Sequence, residues 1–194
     1  MEFFEKPASH PRRLGILAGS FNPPTVAHLE LADAAQGHVD QVLWVLPREF
    51  PHKRYHGATL TQRVDMLRKL GLTAAVSSGG LFLEIARECR EHYGPQTKLS
   101  FLCGRDAAER IVNWDYGRPG VAEEMLREFE LLVAARLGEY SPPSHLQRQI
   151  RRLHLRNDFD HVSSTEVRER IRHSHTWEHL VPEPIVEDVR KIYS

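Results

Sequence analysis

Apolar residues fall into short, nearly continuous runs at 14–18, 41–46, 98–103 and 130–135, each followed by Gly, Pro or Arg. Such runs mark parallel strands covered on both faces. A weaker strand is expected at 74–77. Between the runs the apolar spacing changes to three and four. Val26, Leu29, Leu31 and Ala32 share one side of a helix expected at 25–36. Val64, Leu67 and Leu70 do so at 61–70, and Leu81, Ile85 and Cys89 at 81–92. Strands alternating with helices predict an α/β fold, a doubly wound (Rossmann-like) parallel sheet. Right-handed crossovers then gather the strand-to-helix loops along one edge, where ligands bind.

The rest of the chain is more polar. Residues 136–156 contain Ser141-Pro142-Pro143-Ser144 and read as a surface connection with a short helix. A small C-terminal helical segment, 157–194, holds two expected helices, at 163–173 and 184–192. Residues 1–13 read as a loose tail ahead of a single domain at 14–194. The chain has 26 Lys and Arg against 26 Asp and Glu, so no global field draws in nucleic acid. The local run Arg148, Arg151, Arg152 and Arg156 reads as a solvated helix face. No apolar stretch reaches the ~20 residues of a membrane helix. Two cysteines without a pairing pattern fit a reducing cytoplasm, and Cys103 reads as a small buried residue.

Candidate chemistry begins where the first strand ends, at Gly19-Ser20-Phe21-Asn22-Pro23-Pro24-Thr25-Val26-Ala27-His28. Gly19 allows a sharp turn and close approach to a ligand. Pro24 suits the position just ahead of a helix. Amides at such a helix start bind phosphate. Thr25 and His28, three apart, share the first turn, where His28 can donate to a phosphate oxygen. The string contains neither a Gly-x-x-x-x-Gly-Lys-Ser/Thr run nor a Gly-x-Gly-x-x-Gly fingerprint.

Three later stretches agree in order. Pro47-Arg48-Glu49-Phe50-Pro51-His52-Lys53 follows the second run, and Lys53 offers a flexible point charge there. His52 and His56 read equally as loop residues. Gly104-Arg105-Asp106 follows the third run, with Trp114 beyond it. Asp106 could accept ribose hydroxyls or cap a helix, and Trp114 could stack on a flat ring or join the core. Val162-Ser163-Ser164-Thr165-Glu166-Val167-Arg168 carries a capping-box pattern at Ser163 and Glu166. Its helix terminus offers free amides, Ser164 and Thr165 add hydroxyls, and Arg168 can reach a phosphate bidentately.

These four stretches, spread over residues 14–193, resemble the HxGH-type nucleotidyltransferase superfamily. Within it they are similar to the nicotinate or nicotinamide mononucleotide adenylyltransferases. Ala18 and Ala27 stand where that family has glycine. The resemblance implies transfer of AMP from ATP to a pyridine mononucleotide, forming a dinucleotide and pyrophosphate. It implies catalytic roles for His28, Lys53 and Arg168. It implies nucleotide contacts from Gly19, Ser20, Phe21, Asn22, Thr25, His28, Gly104, Asp106, Ser163, Ser164, Thr165 and Arg168. Trp114, Asn22 and Lys53 would hold the acceptor. Mg²⁺ would ride on the ATP phosphates, with no metal-ligating residues of its own, and no nucleic acid or membrane partner is implied. A homo-oligomer is compatible with this reading.

Two regions depart from the family, and one of them is Asp115-Tyr116-Gly117-Arg118-Pro119-Gly120. Residues 77–85 (Ser77-Ser78-Gly79-Gly80-Leu81-Phe82-Leu83-Glu84-Ile85) lack the threonines that hold the pyridine substituent there. A different phosphate-bearing acceptor, or a non-catalytic nucleotide sensor, are the alternatives. His173, His175 and His179 read as exposed helix-end residues in preference to a zinc site.

Overall fold

The computed structural model describes residues 1–4, 10–49, 57–134, 140–156, 159 and 161–194. Among these residues, seven strands form one sheet: β1 (Glu2–Phe3), β2 (Arg13–Ala18), β3 (Gln41–Pro47), β4 (Ala74–Ser77), β5 (Lys98–Gly104), β6 (Glu130–Ala134) and β7 (Ile150–Leu153). Their order is β1-β4-β3-β2-β5-β6-β7. Every pairing is parallel except β1 with β4. From β2 the chain winds outward through β3 and β4, then returns to β5 on the other side of β2. The strand order therefore reverses between β2 and β5, the place where open α/β sheets bind ligands.

Alternate side chains along each strand enter two different cores. Leu14, Ile16, Leu43, Val45, Phe101 and Val133 face one side of the sheet. There they meet Ile85, Ala86 and Cys89 of α3 (Phe82–Tyr93), Ala108 of α4 (Arg105–Asn113) and Leu126 of α5 (Val121–Glu128). Leu17, Trp44, Leu46, Val76, Leu102 and Leu132 face the other. They meet Ala32 and Ala35 of α1 (Val26–Ala35) and Val64 and Leu67 of α2 (Leu60–Lys69). Continuous apolar runs were needed because both faces are covered.

A third core joins α2 to the end of the chain. Met66 packs with Val162, Val167, Trp177, Leu180, Ile185 and Val189. These lie on or beside α6 (Ser164–Arg172), α7 (Val186–Tyr193) and two short 3₁₀ turns between them. Lys69 of α2 also pairs with Asp188 of α7 at 2.6 Å.

Three expectations are corrected. The start of the chain is not wholly a loose tail, because Glu2–Phe3 pairs with Val76 and Ala75 of β4. The basic run is not a helix face: Arg151 and Arg152 lie exposed on β7, between buried Ile150 and Leu153. Residues 136–156 hold that strand as well as the short helical turn, at Ser144–Leu146. Two outward arginines in four residues hid the strand from an apolar count.

Candidate functional site

Thr25 is the N-cap of α1, in extended conformation. Its N–H donates to His28 Nδ1 at 3.0 Å, and its hydroxyl lies 2.7 Å from the same nitrogen. His28 thus takes the place a Glu or Gln fills in a capping box. An amide N–H needs a lone pair, so Nδ1 is unprotonated and the neutral ring carries its proton on Nε2. Below the imidazole lie two rings. Phe21 meets it edge-on with centroids 5.2 Å apart, and Trp44 lies under Phe21 at 5.0 Å.

The loop between β2 and α1 is held by its oxygens. Arg63, a buried arginine on α2, donates to the Ser20 carbonyl at 3.0 Å. Arg168 of α6 donates to the Asn22 carbonyl. Ser164 donates its hydroxyl to the Pro23 carbonyl at 2.7 Å. Asn22 Oδ1 accepts from Ala58 N–H at 3.2 Å and from the Tyr193 hydroxyl. All four donors from side chains stand on the helices of the third core.

This arrangement gives several of these residues partners within the protein. Phe21 and Thr25 are 0% exposed and Asn22 5%, so these side chains shape the loop from within. A Cβ on Gly19 would lie 3.1 Å from the Phe21 ring, a tight contact, because the ring folds back over it with Phe21 φ at 45°. Gly19 N–H already bonds Val45 O, Thr25 N–H bonds His28, and Pro23 and Pro24 have none. Anion binding by the loop amides therefore falls to Ser20, Phe21 and Asn22 at most. Arg168 also donates to Ser164 O at 3.1 Å and Thr165 Oγ1 at 3.2 Å. Its guanidinium is a brace carrying charge beside the loop, and an open bidentate fork is not what the contacts describe.

At α6, Ser163 is the N-cap and its Oγ accepts from Glu166 N–H at 3.0 Å. The Glu166 carboxylate turns to Arg170 at 2.6 Å, so the Glu166 half of the expected capping box is replaced by an ion pair. Gly104 ends β5 and caps α4, which makes Asp106 the second helical residue and not the cap. Asp106, Glu109, Arg110 and Asn113 share one face of α4, and with Trp114, the extended residue that follows the helix, they line an open depression of about 530 Å³. Trp114 is 54% exposed. Lys53, with His52 and His56, lies outside the described residues.

The loop at 77–81 is filled from within. Glu88 Oε1 accepts from the Ser77 hydroxyl and from Ser78 and Gly79 N–H at 2.9–3.0 Å. Glu84 Oε2 accepts from Gly80 and Leu81 N–H at 2.9 and 3.0 Å. Burial pushes the Glu88 carboxyl up, but bonds from the Met1 ammonium, Gly79 and Ser77 outweigh it and hold the group below its ordinary value. Cys89 and Cys103 are buried, and burial pushes both thiols up to about 12. His173, His175 and His179 are exposed. Among the described residues no group of three or more His, Cys, Asp or Glu is placed to hold a metal ion.

Two residues were underread from the sequence. Arg63 stands outside the motifs above, although an arginine amid Val64, Met66 and Leu67 in a buried stripe hints at an internal acceptor. For Tyr193 the sequence offers no comparable hint.

The profile of the cytidylyltransferase-like family matches residues 16–170. The chain belongs to this family. It is 31% identical to a probable nicotinate-nucleotide adenylyltransferase of Gloeobacter violaceus, covering 92% of this chain and 94% of the relative. A protein of the same name from Moorella thermoacetica is 27% identical, over 94% and 91% of the two chains. Among solved structures, nicotinic acid mononucleotide adenylyltransferase of Plasmodium falciparum, complexed with NaAD, superposes with a TM-score of 0.64 at 16% identity. It covers 93% of this chain and 89% of that one. The same protein complexed with APC gives 0.67 at 15% identity, covering 92% and 94%. These superpositions establish the fold, and family membership makes the chain a nucleotidyltransferase.

Proposed function

We propose that the chain transfers AMP from ATP to nicotinate mononucleotide, forming the dinucleotide and releasing pyrophosphate. The observation that carries this reading is His28, held neutral by Thr25 with its Nε2–H as the donor nitrogen at the head of α1. The relatives named above for this activity support the choice of substrates.

An acceptor phosphate oxygen attacks the α-phosphorus, the bond to the bridging oxygen breaks, and pyrophosphate leaves with the electron pair. The nucleophile is already ionised at neutral pH, so no strong base is required. Catalysis is then positioning plus charge stabilisation. His28 donates to the phosphate that changes charge. The α6 terminus, the Arg168 charge and Lys53 favour the departing pyrophosphate. Asp106 serves the nucleotide, and Trp114 stacks on the pyridine ring. Mg²⁺ enters with ATP as part of the substrate, on phosphate oxygens and water. Two buried thiols fit a reducing cytoplasm, and no helix of the described residues is long and apolar enough to cross a membrane.

A second reading keeps the chemistry and changes the acceptor. It is favoured by the Ser78–Leu81 amides, whose acceptors are Glu88 and Glu84. Pyrophosphate release from ATP and Mg²⁺, with both pyridine mononucleotides and other phosphate acceptors, decides between the two. Release with nicotinate mononucleotide, lost in His28→Ala, is expected. Release only with another acceptor overturns the substrate, and ATP binding without any release would indicate a sensor.

A further inference from the structure

We propose that Tyr193 is a positioning residue for the transfer reaction, setting through Asn22 the loop that leads into the first turn of α1, where His28 stands. The inference rests on the reaction proposed above. Asn22 is almost fully buried, and its Oδ1 receives two donors, Ala58 N–H and the Tyr193 hydroxyl. Two donors on one oxygen fix which way the amide faces. Burial raises the Tyr193 hydroxyl above its ordinary value, against the neighbouring Arg168 and Arg63 charges, so it remains a donor at neutral pH.

Gly57 gives independent support. A Cβ there would meet Tyr193 Cε1 at 2.7 Å and Asn22 Oδ1 at 3.2 Å, and Gly57 φ is +106°. Only glycine lets the tyrosine ring and the asparagine close on this strand of backbone. Three distant pieces of chain thus meet at one junction: the loop after β2, the entry to α2, and the end of α7.

The junction is rigidly linked to the imidazole. Asn22 is followed by Pro23 and Pro24, each with a fixed φ, and then by Thr25, whose N–H and hydroxyl hold His28 Nδ1. Any swing of Asn22 therefore moves Thr25. The α7 helix does not depend on the hydroxyl for docking. Val189 is fully buried and Asp188 pairs with Lys69. Tyr193→Phe should accordingly fold, keeping the ring against Gly57 and losing only the bond to Asn22.

The test uses the full chain as Tyr193→Phe, Asn22→Ala and the double variant. Pyrophosphate release is measured with ATP, Mg²⁺ and nicotinate mononucleotide, alongside thermal unfolding. We expect Tyr193→Phe to unfold near the wild-type temperature. Its kcat should fall about 10-fold, with KM for both substrates within about twofold, as for a small misplacement of a reacting group. The double variant should be no slower than the slower single one. Wild-type kcat in Tyr193→Phe, or losses that multiply in the double variant, would overturn the proposal. The His28 imidazole nitrogen shifts give a readout that needs no turnover. Tyr193→Phe should move Nδ1 away from its accepting state, and identical shifts would sink the junction even if the acceptor proves to be another molecule. A wild-type chain silent with nicotinate mononucleotide overturns the substrate alone.

Discussion

The loop after β2 and the outer face of α4 follow adjacent strands at the same sheet edge, yet they are built in opposite ways. In the loop, the oxygens of Ser20, Asn22 and Pro23 meet Arg63, Arg168, Tyr193 and Ser164, and Phe21, Asn22 and Thr25 are buried. On α4 and just after it, Asp106, Arg110, Asn113 and Trp114 stand at the surface around a shallow depression. Moving charge between phosphates requires donors that are already aimed, because reorienting them during reaction costs part of the rate. A flat ring gains most of its stacking from area, which an exposed indole supplies without a fixed frame. On the function proposed above, the half assigned to phosphate is prebuilt, and the half assigned to the acceptor is open.

The contrast sets the size of each expected effect. His28→Ala should lower kcat about 10²–10³-fold, the cost of removing one aimed donor, with little change in unfolding temperature. Retained turnover in that variant would move the chemistry out of the loop. Arg63→Met should come next. It leaves the Ser20 carbonyl without its buried partner and should cost about 1–3 kcal/mol in urea unfolding, with lower activity. Unchanged stability would mean that the loop holds its shape without α2.

Trp114→Ala tests the open half. The side chain is largely exposed, so unfolding should barely shift, while the acceptor KM rises about 2–10-fold for the loss of a stacking contact. A KM rise for ATP in its place would reassign the α4 face. The smallest effect concerns acid. The folded Glu88 carboxyl lies below its ordinary value. Its stabilisation is therefore present above the unfolded value, about 4.3, and is lost as pH falls through the folded one. Glu88→Gln should be less stable than wild type at pH 7 and converge with it toward pH 3. A constant gap across that range would show that packing, and not charge, holds residues 77–79.

The same contrast decides what could be read from the sequence. Strands β2 to β6 were legible because burial on both faces leaves no room for polar alternation. Their observed ends lie within a residue or so of the apolar runs. β7 was not, because Arg151 and Arg152 face solvent. Nor was β1, where two residues carry no period at all. In the site, His28, Thr25, Ser164 and Arg168 were legible as a set because they stand in short strings of fixed spacing. What the strings could not reveal is direction. Arg168 turns to the loop carbonyl, and Asn22 looks inward to residues 36 and 171 positions away in the chain. Contacts of that span leave no local pattern. At 77–81, missing threonines read as a gap, whereas the amides are served by carboxylates that α3 returns to its own start.

The exposed arginine pair on β7 also bears on how copies of the protein meet. A sheet edge offers a row of backbone donors and acceptors to any passing strand. Here Arg151, ion-paired with Glu130 of β6 at 2.7 Å, and Arg152 place long charged side chains on opposite faces of the margin, and a foreign strand would have to accommodate both. At the opposite border, β1 is two residues long and offers little length for a foreign strand to grip. Lateral growth into strand-linked aggregates is thereby discouraged at both margins, by charge at one and by brevity at the other.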